Sequence, residues 1–82
     1  MTDKRVRRLW AKAAGVAVYH AAQGERALTV HPFKDGSGYL CVIWREMTEE
    51  DKYASDAVIG GGRCRRRDEA GAIIEATKRF LR

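Results

Sequence analysis

The sequence predicts an α+β fold: one small domain running α-β-β-β-α, with a three-stranded antiparallel sheet and both helices packed on one face. Three observations carry that reading. Apolar residues recur at three- and four-residue spacing near both ends, the period of an amphipathic helix. The middle of the chain alternates apolar and polar residues between turn residues, the period of strands. The chain has 82 residues and a single proline, is 45% hydrophobic and 33% charged, and so carries one globular core rather than a disordered chain.

The first helix is read from TDKRVRRLWAKAAGVAVYHAAQG. Val6, Leu9, Trp10, Ala13, Ala17 and Ala21 form one stripe, Thr2 or Asp3 caps the start, and Gly24 suits the stop. A second reading ends the helix at Gly15 and makes VAVYHA a strand, because a glycine inside a helix costs about 1 kcal/mol against alanine. The continuous stripe favours the longer helix. RALTVHPF then reads as a strand with Leu28 and Val30 toward the core, and Pro32, which lacks an N–H, marks an edge or an end. In KDGSG, the pair Asp35-Gly36 signals a hairpin turn. YLCVIWRE is apolar on both sides, Leu40, Val42 and Trp44 on one and Tyr39, Cys41, Ile43 and Arg45 on the other, which predicts a central strand. MTEEDKYAS is an exposed acidic connection, with Glu49, Glu50 and Asp51 in solvent, and DAVIGG is a short third strand. The last helix starts at Asp68. Ala70, Ile73, Ile74, Thr77, Phe80 and Leu81 form its apolar stripe, and Lys78, Arg79 and Arg82 suit the negative end of its dipole.

With both helices on one face, the other face of the sheet is left open. It would display Thr29, His31, Phe33, Tyr39, Cys41, Ile43 and Arg45, an apolar and aromatic patch of the kind that marks an interface. The alternative is that the first helix or a second protomer, in a homodimer, covers it.

Charge narrows the function classes. The net charge is +5, the calculated pI is about 9.6, and arginine supplies 11 of the 16 basic residues. Arginine presents a rigid fork of donors that matches phosphate and carboxylate, so the bias points to anionic partners. No stretch reaches the length of a membrane span or resembles a secretion signal. Cys41 and Cys64 lack metal-type spacing, and the expectation is a cytoplasmic protein with reduced thiols and no bound metal or cofactor. His20 and His31 have no serine or cysteine beside them in an activating pattern, so no catalytic set is expected.

The stretch GGGRCRRRDEAG, residues 60–71, brings Arg63, Arg65, Arg66 and Arg67 to the start of the last helix. Like charges there oppose the positive end of the helix dipole, a local cost that an incoming anion would relieve. A second basic set, Lys4, Arg5, Arg7 and Arg8, lies on the first helix with Lys12. Two such clusters on a small domain suit a phosphate backbone, bound with strong salt dependence and little sequence selection.

The element order and the glycine-rich approach to a basic helix start resemble the double-stranded-RNA-binding domain, in which a glycine-rich strand end leads to a basic cluster that grips phosphates across a groove. That resemblance gives Gly60, Gly62, Arg65 and Arg66 the phosphate-gripping places. KDGSG stands where that family carries a loop with a proline and a histidine, and Ala70 is out of register with the alanine that follows its basic pair. Residues 38–80, above all AVIGGGRCRRRDEAGAIIEATKRF, are similar to the closing strand and helix of three-stranded-sheet DNA-binding domains such as the arm-binding domains of phage integrases. In size and style the chain also resembles small proteins of phages and mobile elements, anti-CRISPR proteins among them, which occlude a surface of a host nucleic-acid-handling complex. The expected function is a non-catalytic basic module that binds nucleic acid. The alternative is an anti-CRISPR-like inhibitor that binds a protein of such a complex.

Overall fold

A computed structural model describes residues 4–23 and 26–81. The chain runs α1 (Lys4–Trp10), β1 (Tyr19–Gln23), β2 (Arg26–Pro32), β3 (Tyr39–Trp44), a 3-10 turn (Ala54–Ala57), β4 (Val58–Cys64) and α2 (Glu69–Phe80). The α+β class, the two helices and the antiparallel meander of three strands between them (β2, β3 and β4) are as the sequence predicts. The sheet carries one further strand, β1, on its edge, giving the spatial order β1-β2-β3-β4.

The extra strand comes from the segment read as the second half of a long helix. α1 closes at Trp10, with turn bonds from Lys12 N to Leu9 O and from Ala13 N to Trp10 O. Gly15 then takes φ +84°, a conformation that no helix interior accepts. The backbone beyond α1 satisfies itself against β2: Ala14 N donates to Pro32 O, Val18 N donates to Val30 O, and β1 pairs from Tyr19↔Val30 to Gln23↔Arg26. An alanine stripe offers little apolar area to bury, whereas the open edge of β2 offers a row of hydrogen bonds. The helix ending before Gly15 is therefore the correct alternative. The proposed caps Thr2, Asp3 and Gly24, and Arg82, lie outside the described residues.

The two helices sit on opposite faces, not on one. α2 covers Leu28, Val30, Cys41, Ile43 and Cys64, with Ala72, Ala76 and Leu81 completing that core. α1 covers Phe33, Leu40, Val42 and Val58, with Val6 and Ala13. β3 is central and buried on both sides, as its doubly apolar sequence predicts. The face assignment turns on the connection between β2 and β3. Pro32 pairs with Tyr39, so Leu28 lies opposite Ile43 and Thr29 opposite Val42. A connection one residue shorter or longer would exchange those faces. Phe33 N donates to Gly38 O, Gly36 N to Phe33 O, and Ser37 N to the Asp35 carboxylate, which fixes the length of the turn.

α2 begins where the sequence places it. Asp68 is its N-cap, and the Asp68 carboxylate accepts from Gly71 N at 2.7 Å. Its buried stripe differs from the predicted one: Ala72 and Ala76 meet the sheet, while Ala70, Ile74 and Thr77 are exposed. Small residues bring the helix close to a sheet face already filled by Leu28, Val30 and Ile43.

Candidate functional site

β4 is an edge strand with α1 on one side of the sheet and α2 on the other. Its glycines do not end the strand; they run through it. Gly61 has φ +136°, and a Cβ there would overlap the Cys41 carbonyl oxygen, so only glycine lets β4 lie this close to β3. A Cβ at Gly62 would stand 3.2 Å from the Phe80 ring and 3.6 Å from the Arg5 guanidinium. The glycines thus bring a side chain from each helix to the strand.

Arg5 and Arg79 meet the outer rim of β4 from opposite faces. Arg5 Nη2 donates to Gly61 O at 2.7 Å, and Arg79 Nη1 donates weakly to Arg63 O at 3.4 Å. In an antiparallel pair, alternate residues turn both N–H and C=O toward the neighbouring strand or away from it. Gly61 and Arg63 are the residues of β4 that turn away from β3. Their two carbonyls carry guanidinium groups, and their N–H groups point the same way.

Arg63 itself projects on the α1 face. Its guanidinium lies 4.7 Å from the Phe33 ring centroid, Nη2 donates to Ser37 Oγ at 2.6 Å, and the buried Nε has no hydrogen-bond partner among the described residues. Arg5 and Leu9 from α1, Arg63 and Arg65 from β4 and the residue after it, and Glu75 and Arg79 from α2 line an open groove of about 480 Å³. Glu75 is the single acid in that lining among the described residues. Its Oε2 accepts from the Cys64 thiol at 2.6 Å, while Arg66 and Arg79 stand off at 3.7 and 4.0 Å. Those separations exceed hydrogen-bond distance, so Glu75 offsets arginine charge without using their donors.

The structure brings Arg5, Arg63 and Arg65 together from the predicted basic sets, with Arg66 reaching them through Glu75. Arg67 is exposed in the turn before Asp68, and Lys4, Arg7 and Arg8 are exposed on α1; none of these four lines the groove. Arg79, Leu9 and Glu75 were not among the sequence-based candidates. Arg79 reads in sequence only as a charge suiting the end of a helix. The i,i+4 spacing of Glu75 and Arg79 is the signal that places both on one helix face.

The expected open sheet face is not present. His31, Phe33 and Ile43 are each 3% exposed, Tyr39 is half-buried, and the residues divide between the two faces because of the β2–β3 register. His31 and Phe33 lie under α1; Tyr39 and Ile43 lie under α2. His31 meets Trp10 at 4.8 Å between ring centroids, and its Nε2 bonds with Thr29 Oγ1, which also accepts from the Trp44 indole N–H. Arg45 makes a two-point pair with Asp51 at 2.7 and 2.8 Å and donates to Asp56 O. Asp51 is therefore a structural acid, unlike the exposed Glu49 and Glu50, and the Arg45 guanidinium holds its carboxyl far below the usual carboxylate range.

Burial pushes the Cys41 thiol up to about 12, with the neighbouring Cys64 adding to the effect; burial and the bond to Glu75 also raise Cys64. Thiols held protonated in this way are poor nucleophiles. His31 lies across the sheet from both cysteines, and among the described residues no group of three or more His, Cys, Asp or Glu is placed to hold a metal ion. Among the described residues no helix is long and apolar enough to cross a membrane. Comparison with protein-family models, curated proteins and solved structures finds no match for the chain.

Proposed function

We propose that the protein is a non-catalytic nucleic-acid-binding module that holds phosphates in the groove on the β4 edge. The observation that carries this reading is the convergence of Arg5 from α1, Arg63 from β4, Arg65 just beyond it and Arg79 from α2, against one carboxylate among the described residues. Arginines spread over a surface point into water and interact weakly. These four instead share one concave lining, where a phosphate receives several charge-assisted bonds at once. The net charge of +5 adds long-range attraction for a polyanion.

Fluorescence anisotropy with labelled oligonucleotides tests the proposal. Binding should appear at low salt and weaken linearly in a logarithmic salt plot, with little dependence on sequence. Arg65→Ala, at an exposed position after β4, should weaken binding and flatten the plot while leaving the melting temperature unchanged. A wild-type protein that leaves every oligonucleotide unbound at low salt rejects the proposal. A stable stoichiometric complex with a protein of a nucleic-acid-handling machine that survives moderate salt would favour the inhibitor reading instead.

A further inference from the structure

We infer that the groove selects a single strand over a duplex, with the sugar–phosphate chain lying along the open rim of β4; the inference rests on the nucleic-acid reading above. The first ground is the shape of the site. Its arginines come from both faces of the sheet, Arg5 from α1 and Arg79 from α2, and close on the strand edge between them. A duplex whose bases are read is met by a convex helix or ribbon that enters one of its grooves, and one held by its phosphates is met by a surface that spans them. Here the binding surface is concave, and the two helices that form its lips hold a wide cylinder off while admitting a thin chain. Proteins that hold single strands use positively charged grooves that track the backbone, with aromatic platforms added where the bases are held as well.

The second ground is the chemistry of the rim. A free strand edge offers donors and acceptors in alternation, which suits another strand. On β4 the acceptors Gly61 O and Arg63 O already carry Arg5 and Arg79, so the rim offers donors: two guanidinium groups and the N–H groups of Gly61 and Arg63. Such a rim is matched to anionic oxygens. Alternate residues of a strand recur every ~6.7 Å, a repeat close to that of an extended sugar–phosphate chain. Successive phosphates can therefore meet equivalent positions along β4. Among the described residues the groove lining contains no aromatic ring, and Phe33 and Phe80 are faced by the Arg63 and Arg79 guanidinium groups. Bases then have no stacking platform in the groove, and recognition is of the chain rather than of its sequence.

Glu75 sharpens the selection. Loosely held near Arg66 and Arg79 and oriented by the Cys64 thiol, it competes with the phosphate nearest α2. Its loss should strengthen the binding of a chain that penetrates the groove.

The test compares one labelled DNA strand of mixed sequence, alone and annealed to its complement, on the full chain by anisotropy across a salt series. The single strand should bind roughly tenfold tighter or better. Its salt slope should fall by about 0.7 for each phosphate contact removed, in Arg65→Gln and Arg79→Gln. Glu75→Gln should tighten single-strand binding by more than it tightens duplex binding, because added positive charge attracts both but only the single strand enters the groove. In amide NMR spectra the Gly61 and Arg63 resonances should move on addition of the single strand, a readout independent of any substitution. Equal or tighter duplex binding, the ligand implied by the resemblance to double-stranded-RNA-binding domains, overturns the inference and leaves the nucleic-acid reading intact. Preferential single-strand binding with unmoved Gly61 and Arg63 amides also overturns it, because the chain then lies elsewhere. If neither form binds, the functional reading itself falls and the inference with it.

Discussion

Asp51 sits in a connection that its neighbours in sequence make look wholly solvated, yet it holds that connection to β3. Two of its contacts go to Arg45, and the Thr48 N–H donates to the same carboxylate at 2.7 Å. Both interactions favour the charged form, so its folded-state pKa lies below the unfolded value of about 3.9. A depressed folded-state pKa contributes stability that is complete above the unfolded value and is lost as the pH falls through the folded one. Acid titration followed by circular dichroism should show stability declining below pH ~4. Asp51→Asn should flatten that decline and lower stability near neutral pH. An acid limb identical in the two proteins would refute the assignment. No sequence signal separates Asp51 from Glu49 and Glu50, because its role depends on Arg45, six residues back, standing immediately after the central strand.

Among the elements, β4 is the one whose glycines have unequal duties. Gly61 combines a left-handed φ with a Cβ position inside the Cys41 carbonyl, whereas a Cβ at Gly60 meets nothing within 4 Å. Gly61→Ala should therefore destabilise the protein by about 2 kcal/mol or more. Gly60→Ala should change stability far less. Denaturant midpoints for the two variants decide the point, and equal effects would contradict this account of β4. The same element shows how far sequence reaches. Asp68, the hairpin signal Asp35-Gly36 and the doubly apolar β3 are local features, and they specify α2, the β2–β3 turn and the central strand correctly. α1 is not local in that sense. Its end depends on whether the alanines beyond Gly15 gain more as a helix stripe or as a partner for β2. The faces of the sheet depend on the residue count of a turn. In the groove, Arg63 and Arg65 are visible as part of a charge run, but Arg79 reaches it only through the packing of α2 across the sheet.

At the level of the whole molecule, helices cover both faces of the sheet and arginines cover the β4 rim. Extension of the sheet through β4 is therefore not a route to a homodimer while Arg5 and Arg79 hold the Gly61 and Arg63 carbonyls. Replacing both by serine should expose the edge and produce concentration-dependent association in light scattering. A double variant that stays as dispersed as the wild type would show that the guanidinium groups do not guard this edge. The arrangement also separates two jobs. The aliphatic core is divided between the two faces of the sheet, and Arg65 and Arg66 stand exposed beyond it, so substitutions at these two arginines should change the charge of the rim with little effect on folding.

The paired thiols under α2 give the protein a stopwatch of its own. Cys41 and Cys64 are both fully buried, on neighbouring strands, beneath one helix. A disulfide reagent in solution can reach them only when that helix lifts away or the whole chain opens, so the labelling rate counts opening events directly. If α2 detaches by itself, both thiols react together, and faster than global unfolding measured by denaturant allows. If the helix and sheet open only as one body, the labelling rate follows global stability. The native chain, with no residue substituted, thus reports whether the wall of the groove that carries Glu75 and Arg79 is a hinged door or a fixed one.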